Sequence, residues 1–167
     1  MSTPALFRYQ GKRDQDWATP QEFFDVLDAE FCFTLDPCCT PQTAKCREYY
    51  TFADDGLSQP WAPHIAFCNP PYGRELPRWL EKAHQESLLG ATCVCLVPAY
   101  TDTAWWHDIA AQGEIRLVRN RLYFERDGER RRSPFASAVI IFRPDGSGAG
   151  TVRNVEYSIE QRGRPVV

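Results

Sequence analysis

Apolar residues recur in this chain at two spacings. In "WATPQEFFDVLDAEF", Phe23, Phe24, Leu27 and Phe31 return at three- and four-residue steps, the period of a helix with one buried face. Thr19 is placed to cap that helix, Pro20 suits its first turn, and Glu22 follows three residues after the threonine as in a capping box. "LPRWLEKAHQESLL" repeats the pattern, with Leu76, Trp79, Leu80 and Ala83 inward, Leu88 a candidate to join them, and Gly90 as the stop. "TDTAWWHDIAAQG" reads as a loop into a third helix ending at Gly113, and residues 41–48 as a short fourth.

Between these lie strand-length apolar runs: "CFTLDPCC", "EYYTF", "HIAFC", "TCVCLVPA", "EIRLVRNRLYFE" and "SPFASAVIIFRP". "TCVCLVPA" is apolar at both alternations, which predicts a central strand covered on two faces. Asp127-Gly128 is a hairpin turn signal between the last two runs. Strands alternating with helices predict an α/β sheet, mostly parallel, with an antiparallel C-terminal strand or hairpin. The expected layout is a flexible arm over residues 1–16, one domain over 17–144, and a tail or edge strand over 145–167.

Composition narrows this only a little. With 167 residues and 43% apolar content, the chain suits one globular domain. No apolar run approaches the roughly 20 residues that span a bilayer, and the first residues lack the apolar core of a secretory signal. Seven cysteines without a CxxC pair suggest reduced thiols in a cytoplasmic protein. Cys38, Cys39 and Cys46 lack a convincing fourth ligand, so no metal is expected. The net charge of −3 conceals an asymmetry: residues 1–113 hold 8 Lys and Arg against 15 Asp and Glu, whereas residues 114–167 hold 11 against 7. The basic half can carry a surface for a polyanion.

Three strands are cut off abruptly, at Asp36-Pro37, at Asn69-Pro70-Pro71-Tyr72 and at Pro98-Ala99-Tyr100. In open α/β sheets such ends share one rim, where ligands bind. The second of them has the chemistry of an amine clamp. An Asn amide oxygen and a proline carbonyl on a stiff backbone can accept both hydrogens of an exocyclic amine, while the next aromatic stacks on the base that carries it.

At these residues the chain resembles the S-adenosylmethionine-dependent amino-methyltransferases, in particular the small phage-type DNA N6-adenine methyltransferases. Their (Asp/Asn)-Pro-Pro-(Tyr/Phe) signature matches Asn69-Pro70-Pro71-Tyr72. "WATPQEFFDVL" is similar to the Thr-Pro segment that holds the methionine part of the cofactor, and "LDPCC" to the first cofactor strand. "AKCREYYTFADDGL", "WLEKAHQE", "LVPAYTDTAWWHD" and "RSPFASAVIIF" follow in family order, so the resemblance covers roughly residues 17–143. It implies a compact Rossmann-like fold, S-adenosylmethionine as cofactor, and Asn69, Pro70, Pro71 and Tyr72 as catalytic residues. It further implies cofactor contacts from Trp17, Thr19, Pro20, Asp36, Pro37 and Cys38. The chain departs from the wider group in one respect: Pro37-Cys38-Cys39-Thr40-Pro41 stands where a Gly-rich loop is usual. Only 32 residues separate Asp36 from Asn69, so the cofactor pocket is abbreviated.

Asp55, about 20 residues past the first strand, is either a ribose ligand or part of a solvated turn with Asp54. The hairpin run "ERDGERRRS" and its approach carry Arg119, Arg121, Arg126, Arg130, Arg131 and Arg132, which read either as a solvated tip or as a ribbon for phosphates and base edges of double-stranded DNA. Phe135 sits where the ribbon returns, either in the core or near an extruded base. The expected function is therefore site-specific adenine N6 methylation of a flipped base. Amino methylation of cytosine, an RNA base or a protein glutamine stands as the alternative, and so does a non-catalytic nucleic-acid-binding module.

Overall fold

The computed structural model describes residues 17–155, and the expected arm at 1–16 and the end of the expected tail, 156–167, lie outside them. Among the described residues three helices are formed, α1 (Gln21–Phe31), α2 (Leu76–Leu88) and α3 (Ala104–Asp108), with 3-10 turns at Phe52–Asp54 and Ala110–Gln112. The strands are β1 (Leu35–Asp36), β2 (Glu48–Tyr49), β3 (Ile65–Cys68), β4 (Thr92–Pro98), β5 (Glu114–Val118), β6 (Tyr123–Arg126), β7 (Glu129–Arg132), β8 (Ser137–Phe142) and β9 (Val152–Val155).

Seven strands form one sheet in the order β2-β1-β3-β4-β8-β5-β9, and β6 pairs with β7 as a separate antiparallel hairpin. Strands β2, β1, β3 and β4 run parallel, β8 is antiparallel between β4 and β5, and β9 is parallel to β5 at the edge. This is the mostly parallel, Rossmann-like α/β sheet expected. The chain passes from β1 outward to β2 and then back across to β3. The β1–β3 boundary is therefore the topological switch point, the place beyond the strand ends where such sheets hold ligands.

Two apolar layers cover the sheet. On one face Cys93, Cys95 and Val97 of β4 pack with Leu76, Trp79, Leu80 and Ala83 of α2 and with Trp106. On the other, Val94 and Leu96 pack with Phe23, Phe24 and Leu27 of α1 and with Leu122 and Phe124 beside and within the hairpin. The continuous apolar run of β4 is thus explained by its two covered faces.

Several local expectations are corrected. Pro20, not Thr19, is the N-cap of α1, and no side chain caps that helix. Residues 41–48 form no helix, because Thr40 and Thr43 exchange backbone-to-hydroxyl bonds (2.9 and 3.2 Å) that close a turn instead. β2 stops at Tyr49, and a capping box between Thr51 and Asp54 then starts a 3-10 turn. Leu88 is 70% exposed rather than inward, whereas Glu86 is buried, its carboxylate taking the N–H groups of Trp61 and Ala62 (2.9 Å each) and the Lys82 ammonium.

Candidate active site

The rim of the sheet is built where prolines end strands. Pro37 stops β1, and the Asp36 carboxylate then gathers the following loop, accepting the N–H of Cys38 at 3.3 Å and of Lys45 at 3.0 Å. Asp36 is only 3% exposed. Burial pushes its carboxyl up to about 6, against the downward pull of those two N–H groups. Burial likewise raises the Cys46 thiol to about 12 and the Cys39 thiol further, so both are neutral packing groups. Among the described residues, no group of three His, Cys, Asp or Glu is placed to hold a metal ion.

Asn69 follows β3 directly. Its side-chain N–H donates to the Trp17 carbonyl at 3.4 Å, and its Oδ1 accepts the Tyr72 hydroxyl at 3.0 Å. The same hydroxyl lies 3.3 Å from the Leu96 carbonyl of β4. The Tyr72 ring meets Phe135 edge to face at 5.5 Å, and Phe135 meets Tyr100 at 5.7 Å. Acceptor amide, phenol and a wall of aromatic rings therefore stand together at the ends of β3 and β4.

Between Asp36 and Asn69, at the switch point, lies a pocket lined by Trp17, Ala18, Thr19, Asp36, Cys38, Cys39, Thr43, Lys45, Phe67 and Asn69. Its volume is about 10 Å³, room for about one water. A second, open cleft of about 600 Å³ adjoins it, shares Ala18 and Thr43, and continues to Arg126, Asp127, Gly128 and Arg130 of the hairpin.

The profile of the DNA N-6-adenine-methyltransferase (Dam) family matches residues 8–160. The chain belongs to this family. A protein of Escherichia coli (strain K12) named "Putative methyltransferase YfdM" is 36% identical over 63 residues, which cover 34% of this chain and 69% of that protein.

Within this Dam-family chain, Trp17, Thr19, Asp36 and Cys38 share one pocket with Asn69. Thr19 is buried and, without a helix to cap, lines that pocket. Pro20 instead turns its carbonyl to the N–H groups of Phe23 and Phe24. Pro37 has its carbonyl pressed on Gly56, where a Cβ would sit 2.1 Å from that oxygen. Asp55 is exposed, outside the pocket lining, and accepts the Ser58 hydroxyl. Pro70 and Pro71 bridge Asn69 to Tyr72 with no regular structure.

The hairpin is docked rather than free-standing. Ala18 and Glu125 exchange both backbone bonds (2.7 and 3.0 Å), so residues 17–18 flank β6. The guanidinium of Arg126 lies 4.3 Å from the Trp17 ring centroid and that of Arg131 lies 5.6 Å away. Arg130 pairs with Glu22 of α1 and with Glu125. Arg119 and Arg121 occupy the β5–β6 connection, and Arg132 is exposed at the end of β7. Lys45, Thr43 and Phe67 are pocket residues that sequence reasoning missed. Lys45 contributes a backbone N–H, and that leaves no side-chain signal to read. Phe67 alternates with buried neighbours along β3 and is indistinguishable by pattern from core. Among the described residues no helix is long and apolar enough to cross a membrane.

Proposed function

We propose that this chain transfers a methyl group to the N6 amine of an adenine flipped out of double-stranded DNA, with S-adenosylmethionine as donor. The observation that carries this reading is the pairing of Asn69 with Tyr72 at the end of β3, beside the switch-point pocket, in a Dam-family chain. S-adenosylmethionine supplies a methyl group on a sulfonium, an electrophile that a neutral amine can attack. The donor set suits it: a buried hydroxyl from Thr19 and the Asp36 carboxylate face a pocket walled by Trp17 and Phe67. Pocket volume requires the wall at Ala18 and Thr43 to move before a ligand of that size enters.

Asn69 Oδ1 retains a second lone pair beside the one given to Tyr72. That lone pair and the Pro70 carbonyl accept the two hydrogens of the amine, which aims the nitrogen lone pair away from them. The Tyr72 ring stacks on the base. Proton loss follows nitrogen's gain of positive charge, so no strong base is called for. His107, whose ring nitrogen lies 2.8 Å from the Thr101 carbonyl, has no part in it. The Watson–Crick amine is otherwise paired, and so the base must leave the stack. Hairpin arginines serve the phosphates.

The test is to incubate the protein with methyl-labelled S-adenosylmethionine and unmethylated duplex DNA, digest to nucleosides and identify the labelled product. Labelled N6-methyldeoxyadenosine is expected, and Asn69→Ala should abolish it with cofactor affinity retained. Label in cytosine would move the acceptor, and cofactor binding that cannot be detected would overturn the enzyme reading.

A further inference from the structure

The Asn69 carboxamide is useful as an acceptor only if its oxygen, not its nitrogen, faces the incoming amine. Two contacts set that choice. The Trp17 carbonyl can only accept, so it favours nitrogen on its own side, but at 3.4 Å it is a long and weak partner. The Tyr72 hydroxyl sits 3.0 Å from Oδ1, within ordinary hydrogen-bond range, and is the stronger determinant. Without it, the two ends of the amide differ mainly by that one long bond.

The hydroxyl carries one proton, and two acceptors face it. The Leu96 carbonyl, in the strand covered on both faces, is the farther at 3.3 Å, so the bond goes to Oδ1, while the Phe135 ring abuts the Tyr72 ring from 5.5 Å at 70°. Hydroxyl and ring of Tyr72 are thus held from different sides.

We infer that the Tyr72 hydroxyl is a positioning group: it orients the Asn69 amide and holds that acceptor and the Tyr72 ring in one register, before any base arrives. This rests on the amine-clamp reading above and adds to it a role for the phenol oxygen that ring stacking alone does not need. Stiff prolines set the backbone of the tetrad, and the hydroxyl sets its side chains.

Tyr72→Phe in the full chain tests it, because the ring stays and only the oxygen goes. Transfer to unmethylated plasmid DNA should lose roughly three- to tenfold in kcat, the span of one neutral hydrogen bond, with KM for DNA within about twofold. Tyr72→Ala, which removes the ring as well, should raise KM too. A second readout needs no activity. The chain has three asparagines, Asn69, Asn120 and Asn154, beside eight glutamines, so selective nitrogen-15 labelling of asparagine leaves three side-chain NH2 pairs and Asn69→Ala assigns the relevant one. In Tyr72→Phe the Asn69 pair should shift and broaden as the amide begins to reorient, with the other two pairs in place. An unchanged kcat, or an Asn69 pair that stays where it was, would overturn the inference. Should Asn69→Ala itself keep full activity, the clamp reading fails instead, and the NMR comparison still decides whether the hydroxyl orients the amide.

Discussion

The side-chain amide of Asn69 donates to the backbone carbonyl of Trp17 at 3.4 Å, joining residues 52 positions apart. Trp17 is also the residue over which Arg126 and Arg131 of the hairpin stack. One residue therefore touches the proposed amine acceptor through its backbone and the proposed DNA-facing ribbon through its ring.

Removing that ring separates the two connections. Trp17→Ala keeps the carbonyl but loses an indole that is 5% exposed, and should cost about 3–5 kcal/mol of stability by urea denaturation. Trp17→Phe retains an aromatic face for Arg126 and should cost less than half as much. Equal losses in the two variants would mean that the Arg–aromatic contact contributes nothing.

Gly56 is required for space rather than for a special φ. Its Cβ in Gly56→Ala would meet the Pro37 oxygen at 2.1 Å and the Trp79 ring at 3.2 Å. The Pro37 loop must shift or the helix α2 must retreat, at a cost of at least about 2 kcal/mol. A melting temperature within a degree of the unsubstituted protein would show that the loop yields freely.

Asp36 gives stability a pH dependence of known sign. Its folded carboxyl titrates near 6, above the value near 3.8 expected when unfolded. Between about pH 4 and pH 6 the folded state binds more protons than the unfolded one, so this group's contribution falls as pH rises through that window, by about 3 kcal/mol in all. The stability difference between the unsubstituted protein and Asp36→Asn should drop by that amount from pH 4 to pH 7. A difference that stays flat across the window would contradict it.

Arg132, exposed at the end of β7, should read out as a phosphate contact. Arg132→Ala is expected to weaken duplex binding across unrelated sequences and to make the plot of log K against log salt shallower by about 0.9. Arg130→Ala also breaks pairs with Glu22 and Glu125, so it should cost up to about 1 kcal/mol in stability besides. An unchanged salt slope in Arg132→Ala would remove that residue from the DNA surface.

Much of this architecture could be read from residue pattern. The apolar run of β4 announces the central strand, the proline-stopped ends of β1 and β3 announce the rim, and "NPPY" marks where Asn69 and Tyr72 pair. What escaped reading depends on polar pairing. Leu88 and Glu86 lie about 200° apart around a helix and cannot both face inward, and the carboxylate takes the inner place because three donors await it. Thr19 carries every sequence mark of a cap, yet the structure uses Pro20 there and leaves the threonine to the pocket. The Trp17–Asn69 bond uses a backbone carbonyl, which every residue possesses, so no residue type could signal it.

The strap at residues 17–18 also bears on rates. It lines a pocket of about 10 Å³ and is joined to Glu125 by two backbone bonds. If the wall moves at Ala18 to admit the cofactor proposed above, those bonds must open first. Association should then saturate at a ceiling set by the opening frequency of the strap, however tight the final complex. Stopped-flow binding would show that plateau, and loosening the hairpin would lift it.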